Sequence, residues 1–167
     1  MKKYIYTLAS VLVLTIMVGF TSSHLKHLQC EEPTMFTDIT QDSIDSNSLQ
    51  GQGVFQGLTT DSIYTDIRVA NYQLAAGSYF NWQSSPGGRM LIVTEGEGYY
   101  QSKGNEAIII RKGDRIETTP GLYHWVGASP ASELTFISVT SQKTKDLINW
   151  HEAVTEEEYQ QVVIVNK

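Results

Sequence analysis

The 167-residue sequence has a single cysteine, Cys30, so no disulfide can form within the chain and no thiol nucleophile lies further along it. Positive charge is sparse as well. Twelve Lys and Arg face 18 Asp and Glu, for a net charge of −6, and nothing forms a basic stripe. A nucleic-acid partner is not expected from such a pattern. There is no Gly-rich phosphate loop opening a helix and no Gly-X-Ser-X-Gly elbow to present a nucleophile. No internal repeat or low-complexity segment is evident. What is present is an ordinary globular composition, 41% hydrophobic, sufficient for the core of one domain. Nine tyrosines and 13 glycines lean toward a β-rich, turn-rich chain.

The N-terminus carries a different signal. Lys2 and Lys3 precede a mostly apolar run from Tyr4 to Phe20, followed by Thr21, Ser22 and Ser23. This charged, apolar, small-residue order is that of a secretory signal peptide over residues 1–23, and it predicts export to the periplasm or the extracellular space. The alternative is an uncleaved anchor, for which the run is short against a span of about 20 residues. Leu28-Gln29-Cys30 offers a weak lipoprotein pattern, with a free thiol as the alternative. Membrane contact is expected only if the segment is retained or Cys30 is acylated. Residues 24–52 read as a polar leader, extended or poorly ordered, whose start could add an edge strand.

From residue 53 onward, short strands alternate with Gly and Pro turns. Candidate strands are Ile67 to Leu74, Ser78 to Ser85, Arg89 to Thr94, Tyr99 to Ser102, Ala107 to Arg111, Arg115 to Thr118, Tyr123 to Gly127 and Glu133 to Val139. No helix-period segment interrupts them, which predicts an all-β sandwich or barrel. Thr155 followed by Glu156, Glu157 and Glu158 predicts a capping box that opens a short C-terminal helix. Val162 to Val165 reads as a final edge strand or an ordered tail.

Two groups of residues resemble the motifs of the small cupins. Gly77 to Gly98, closing on Leu91-Ile92-Val93-Thr94-Glu95-Gly96-Glu97-Gly98, is similar to the first. Gly113-Asp114 with Pro120-Gly121-Leu122-Tyr123-His124-Trp125 is similar to the second. The resemblance covers about residues 54–160, including Asn149-Trp150-His151-Glu152-Ala153-Val154-Thr155. It is nearest to the bacterial cupins grouped with carboxymuconolactone decarboxylases, some of which are manganese-dependent hydroxynitrile lyases. It implies a cupin-type jelly-roll β-barrel with a short C-terminal helix, and paired barrels as a homodimer. It also implies that the family's first-motif histidines fall on Gln83 and Ser85, its Gln or Glu ligand on Arg89, and two further pocket histidines on Val126 and Phe136. Only the second-motif histidine remains, as His124.

A transition metal wants several imidazole, carboxylate or thiolate donors. His124 supplies one nitrogen, Gln83 a weak carbonyl oxygen, Ser85 a neutral hydroxyl, and Arg89 a fixed positive charge. No metal and no other cofactor is therefore expected. Strand alternation places Tyr79, Asn81, Gln83 and Ser85 on one face and Phe80 and Trp82 on the other. The expected ligand-binding set is Tyr79, Asn81, Gln83, Ser85, Arg89 and His124, with Arg89 as the anchor for a small organic anion. His124 is the candidate catalytic residue, as acid or base. Each has a plainer reading: Arg89 paired with an internal acid, His124 as a hydrogen-bonded core histidine, Gln83 and Ser85 as polar fill. Three functions remain open: an exported metal-independent binder of a small molecule, a lyase, decarboxylase or isomerase with a rebuilt site, and a structural protein with a vestigial pocket.

Overall fold

The computed structural model describes residues 41–59, 66–141, 143 and 147–166. All lie in one compact unit, Asp38–Lys167. The expected signal peptide, and Cys30 with the weak lipoprotein pattern around it, fall outside the described residues.

The fold is all-β, a jelly-roll barrel with one C-terminal helix. The strands are β1 (Gln41–Ser43), β2 (Leu49–Gln50), β3 (Gly53–Gly57), β4 (Ile67–Leu74), β5 (Tyr79–Phe80), β6 (Gln83–Ser84), β7 (Arg89–Ser102), β8 (Ile108–Arg111), β9 (Arg115–Thr118), β10 (His124–Ala128), β11 (Leu134–Ser141) and β12 (Asn149–Trp150). The sheet runs β1-β3-β4-β11-β7-β10-β5-β2, with β8 and β9 on β7, and β6 between β10 and β12. Every pairing is antiparallel.

One strand joins the two halves of the barrel. The sequence suggested a turn at Glu95–Gly98 between two strands, but β7 runs unbroken through 14 residues. Its first half pairs with β9 and β11, its second with β8 and β10. Between them the register against β11 shifts by one residue, a β-bulge, and Gly96 takes a φ of 81°. The extra residue changes which side chains face inward. Arg89, Leu91 and Val93 are buried before it, and Tyr100 joins the same core after it.

Two apolar layers follow. The barrel core gathers Leu74, Phe80, Leu91, Val93, Tyr100, Val126, Leu134 and Phe136. A second cluster, Tyr79, Trp82, Tyr99, Trp125, Val154, Tyr159, Val162 and Val163, lies between the outer face of the sheet and the helix. That helix, α1 (Glu156–Val165), opens on the expected capping box: Glu158 N donates to Thr155 Oγ1 at 3.2 Å and Thr155 N to Glu158 Oε2 at 2.8 Å. Three glutamates in its first turn suit the positive helix end. Residues 162–165 are helical rather than a strand. The β-branched run suggested extension, but only a helix brings Tyr159, Val162 and Val163 onto one buried face.

Candidate functional site

At one end of the barrel the interior turns polar. Gln83 at the start of β6, Ser85 just after it, Arg89 at the start of β7, Thr118 at the end of β9, His124 at the start of β10, and Ser138 and Thr140 on β11 are all buried. Register explains their meeting. Gln83 is the Cα partner of His124, and Arg89 is paired with Thr118 on one side and Thr140 on the other. Antiparallel partners project from the same face of the sheet.

Arg89 is the centre of this layer and is 3% exposed. Its Nε donates to Ser138 Oγ at 2.6 Å and its Nη1 to Gln83 Oε1 at 2.8 Å. The guanidinium carbon lies 5.3 Å from the centroid of the Tyr72 ring. That ring is stacked in turn on Phe136 at 5.3 Å. Among the described residues no carboxylate pairs with Arg89, and its Nη2 has no hydrogen-bond partner. Burial pushes the guanidinium below its usual range, opposed by the Tyr72 hydroxyl, which lies within electrostatic reach of the guanidinium but outside hydrogen-bond geometry. The cation is therefore held by neutral acceptors and an aromatic face.

His124 is fully buried. Its Nδ1 donates to the Leu122 carbonyl at 2.9 Å, because that oxygen can only accept. Nε2 then carries a lone pair, and it has no partner among the described residues. Burial pushes the imidazole pKa down to about 4. The hydrogen bond to Leu122 opposes the shift, and the nearby charge of Arg89 adds to it. The ring is neutral at pH 7, with the geometry of an acceptor, a base or a single metal ligand. Gln83 Nε2 and Ser85 Oγ are also buried without partners. Four unsatisfied polar atoms in one layer are unusual for an interior, where such groups are nearly always paired.

The structure corrects the expected alternation. Gly127 pairs with Tyr79 while His124 pairs with Gln83, so four steps along one strand face three along β10. The extra residue lies between β5 and β6 and reverses the facing. Phe80 and Gln83 thus both point inward, and Tyr79 points outward with Trp82. Tyr79 stacks on Tyr159 at 4.3 Å and donates to Glu156 Oε2 at 2.9 Å. Asn81 donates to the Asn47 carbonyl at 2.8 Å and accepts from Gln50 at 3.3 Å, tying in the residues around β2. The structure brings Gln83, Ser85, Arg89 and His124 together and leaves Tyr79 and Asn81 outside the group. Val126 and Phe136 are core residues. The serine–histidine contact that does exist is Ser84 Oγ with His151 Nε2 at 2.9 Å, on the opposite side of β6.

Sequence reasoning missed Ser138, Thr140 and Tyr72. The buried–intermediate alternation of β11 puts Leu134, Phe136, Ser138 and Thr140 inward, so two hydroxyls ending an apolar face were the available signal. Tyr72, Ser138 and Thr140 line a cavity of about 170 Å³, bordered also by Arg68, Leu147 and Ile148. Arg89 and Thr140 border a wider cleft of about 930 Å³ at the rim, between residues 87–90 and 117–120.

No described group of three or more His, Cys, Asp or Glu could hold a metal ion. The inward donors do not fit one either: Gln83 Oε1 is committed to Arg89, and the guanidinium would repel a cation.

These features define a cupin barrel. The chain is similar to a cupin-like protein from Thermotoga maritima, with a TM-score of 0.68 and 36% identity over 72% of this chain and 91% of that one. A predicted oxalate decarboxylase, also from Thermotoga maritima, shares the fold at a TM-score of 0.56, with 23% identity over 61% of this chain and 91% of that one. No family model matches the sequence. Over 93 residues the chain is 33% identical to the (R)-mandelonitrile lyase of Granulicella tundricola, covering 56% of this chain and 71% of the relative. The chain belongs to the small cupin family of that lyase.

Proposed function

We propose that this protein is an exported cupin that binds a small organic anion at the polar end of its barrel, on Arg89 and without a metal. One observation carries the reading: a buried guanidinium with no carboxylate partner and an unpartnered Nη2 among the described residues. Burying an unpaired charge costs several kcal/mol even after relaxation. An anionic ligand removes that cost and supplies two-pronged hydrogen bonds to the remaining N–H groups. Gln83 Nε2 and Ser85 Oγ are available for its other oxygens. The resemblance puts metal-ligand positions on Gln83, Ser85 and Arg89, and a guanidinium there supplies positive charge where the family's ion would. Lys2-Lys3 and the apolar run after them support export. Ile67 and Met90, exposed on the outer sheet face, support pairing of barrels as a homodimer.

A second reading is supported by the lyase relative and by the neutral His124. In it His124 Nε2 takes a proton from the substrate, and Arg89 stabilises the developing oxyanion or enolate. Lyase, decarboxylase and isomerase chemistry are each compatible with that pair.

Metal analysis of protein purified without chelator, together with thermal unfolding in a panel of small carboxylates, tests the first reading. It predicts substoichiometric metal and a melting temperature that rises with one or more carboxylates. A stoichiometric transition metal lost on His124→Ala would contradict it. Screening hydroxynitriles, keto acids and lactones, with His124→Ala as control, tests the second. Turnover that survives this substitution would remove His124 as the base.

A further inference from the structure

We propose, resting on the anion reading above, that the ligand is a small 2-hydroxycarboxylate, its carboxylate on Arg89 and its hydroxyl donating to His124 Nε2. Four buried polar atoms in this layer lack partners among the described residues. Arg89 Nη2 and Gln83 Nε2 are donors in need of acceptors, and Ser85 Oγ can serve either way. His124 Nε2 is different. Its partner nitrogen Nδ1 is committed as a donor to the Leu122 carbonyl, so Nε2 can only accept. A plain carboxylate offers acceptors alone. It would satisfy Arg89 and Gln83 and leave its own lone pairs near that of His124.

A hydroxyl on the carbon beside the carboxylate supplies the missing donor at one bond's distance. Gln83 makes the two sites neighbours. It is hydrogen-bonded to Arg89 at 2.8 Å and is the Cα partner of His124. One ligand reaching both must therefore be compact. Glycolate and lactate carry the two groups on adjacent carbons.

Calorimetric titration at pH 7 distinguishes the possibilities. Glycolate and lactate should bind about tenfold more tightly than acetate and propionate, the value of one satisfied buried acceptor. Methoxyacetate, whose oxygen cannot donate, should bind no better than acetate, a comparison that needs no variant. In His124→Phe the preference for glycolate over acetate should vanish while acetate binding persists. Equal affinities for glycolate and acetate, both lost in Arg89→Met, would overturn the hydroxyl assignment and leave the anion site standing. Tighter binding of hydrogenphosphate than of glycolate would overturn the carboxylate assignment. Failure of every anion to bind would overturn both this inference and the reading beneath it.

Discussion

Arg89 Nη1 donates to Gln83 Oε1 at 2.8 Å, deep in the barrel, and that neutral amide stands where a buried cation would ordinarily meet an acid. The amide satisfies one N–H without neutralising the charge. Its own Nε2 remains unpartnered and faces the same layer. The pair thus leaves a net positive charge in a place that solvent barely reaches, and the proposed anion would neutralise it.

If that charge is retained for a ligand, removing it should not harm the empty protein. Arg89→Met keeps much of the side-chain volume over Tyr72 and removes the buried cation. Gln83 and Ser138 each lose a donor, which offsets part of the gain. Urea unfolding of the ligand-free variant should lie within about 1 kcal/mol of the parent. Stabilisation by acetate should disappear. A loss of several kcal/mol would mean that the guanidinium is structural.

His124 makes stability depend on pH with a definite sign. Its folded pKa of about 4 lies below its usual value of 6.5. The unfolded chain therefore binds a proton first as pH falls. Stability from this group is full above pH 6.5, declines between 6.5 and 4, and is lost once pH falls through 4, by about 3 kcal/mol in all. Urea midpoints at pH 7 and 4.5 should differ more in the parent than in His124→Phe. Equal slopes in the two proteins would show that His124 does not titrate as described.

Gly96 holds the bulge that turns β7 from one sheet to the other. Its φ is 81°, and an added Cβ would lie 1.8 Å from the Glu133 carbonyl oxygen. Backbone, not a flexible side chain, would have to move. Gly96→Ala should cost more than about 3 kcal/mol or prevent folding, as measured by thermal unfolding and soluble yield. A near-neutral result would mean that the bulge can be rebuilt without this glycine.

The helix should be separable from the site. Tyr159 donates from its hydroxyl to the Ala128 carbonyl at 2.7 Å, and Thr155 caps the first turn. Tyr159→Phe and Thr155→Ala should each cost about 1–2 kcal/mol in urea unfolding. Carboxylate affinity should be unchanged in both. A parallel loss of affinity would show that the helix positions the barrel end.

The barrel was legible because its signals are local. Gly and Pro turns bound short apolar strands, and the capping box at Thr155 to Glu158 announces the helix. Bulges are where that reading fails. One extra residue between Phe80 and Gln83 reverses facing, so a period-two reading carried Tyr79 into the site and placed Phe80 outside it. Nothing in the composition of those residues marks the insertion. Gln83, Ser85, Arg89 and His124 were placed together correctly because the motif spacing fixes their positions independently of alternation. Ser138 and Thr140 were not, because hydroxyls on a strand are usually read as solvent-facing until the far side of the sheet is known.

The central claim is that this barrel end holds an anion on Arg89 rather than a metal on His124. A crystal structure of protein grown in glycolate, with anomalous data, tests it most directly. The account predicts density for a small planar anion bonded to Arg89 Nη2, and no anomalous peak beside the histidine. A metal peak about 2.0–2.1 Å from His124 Nε2, with Arg89 turned away from it, would contradict the account.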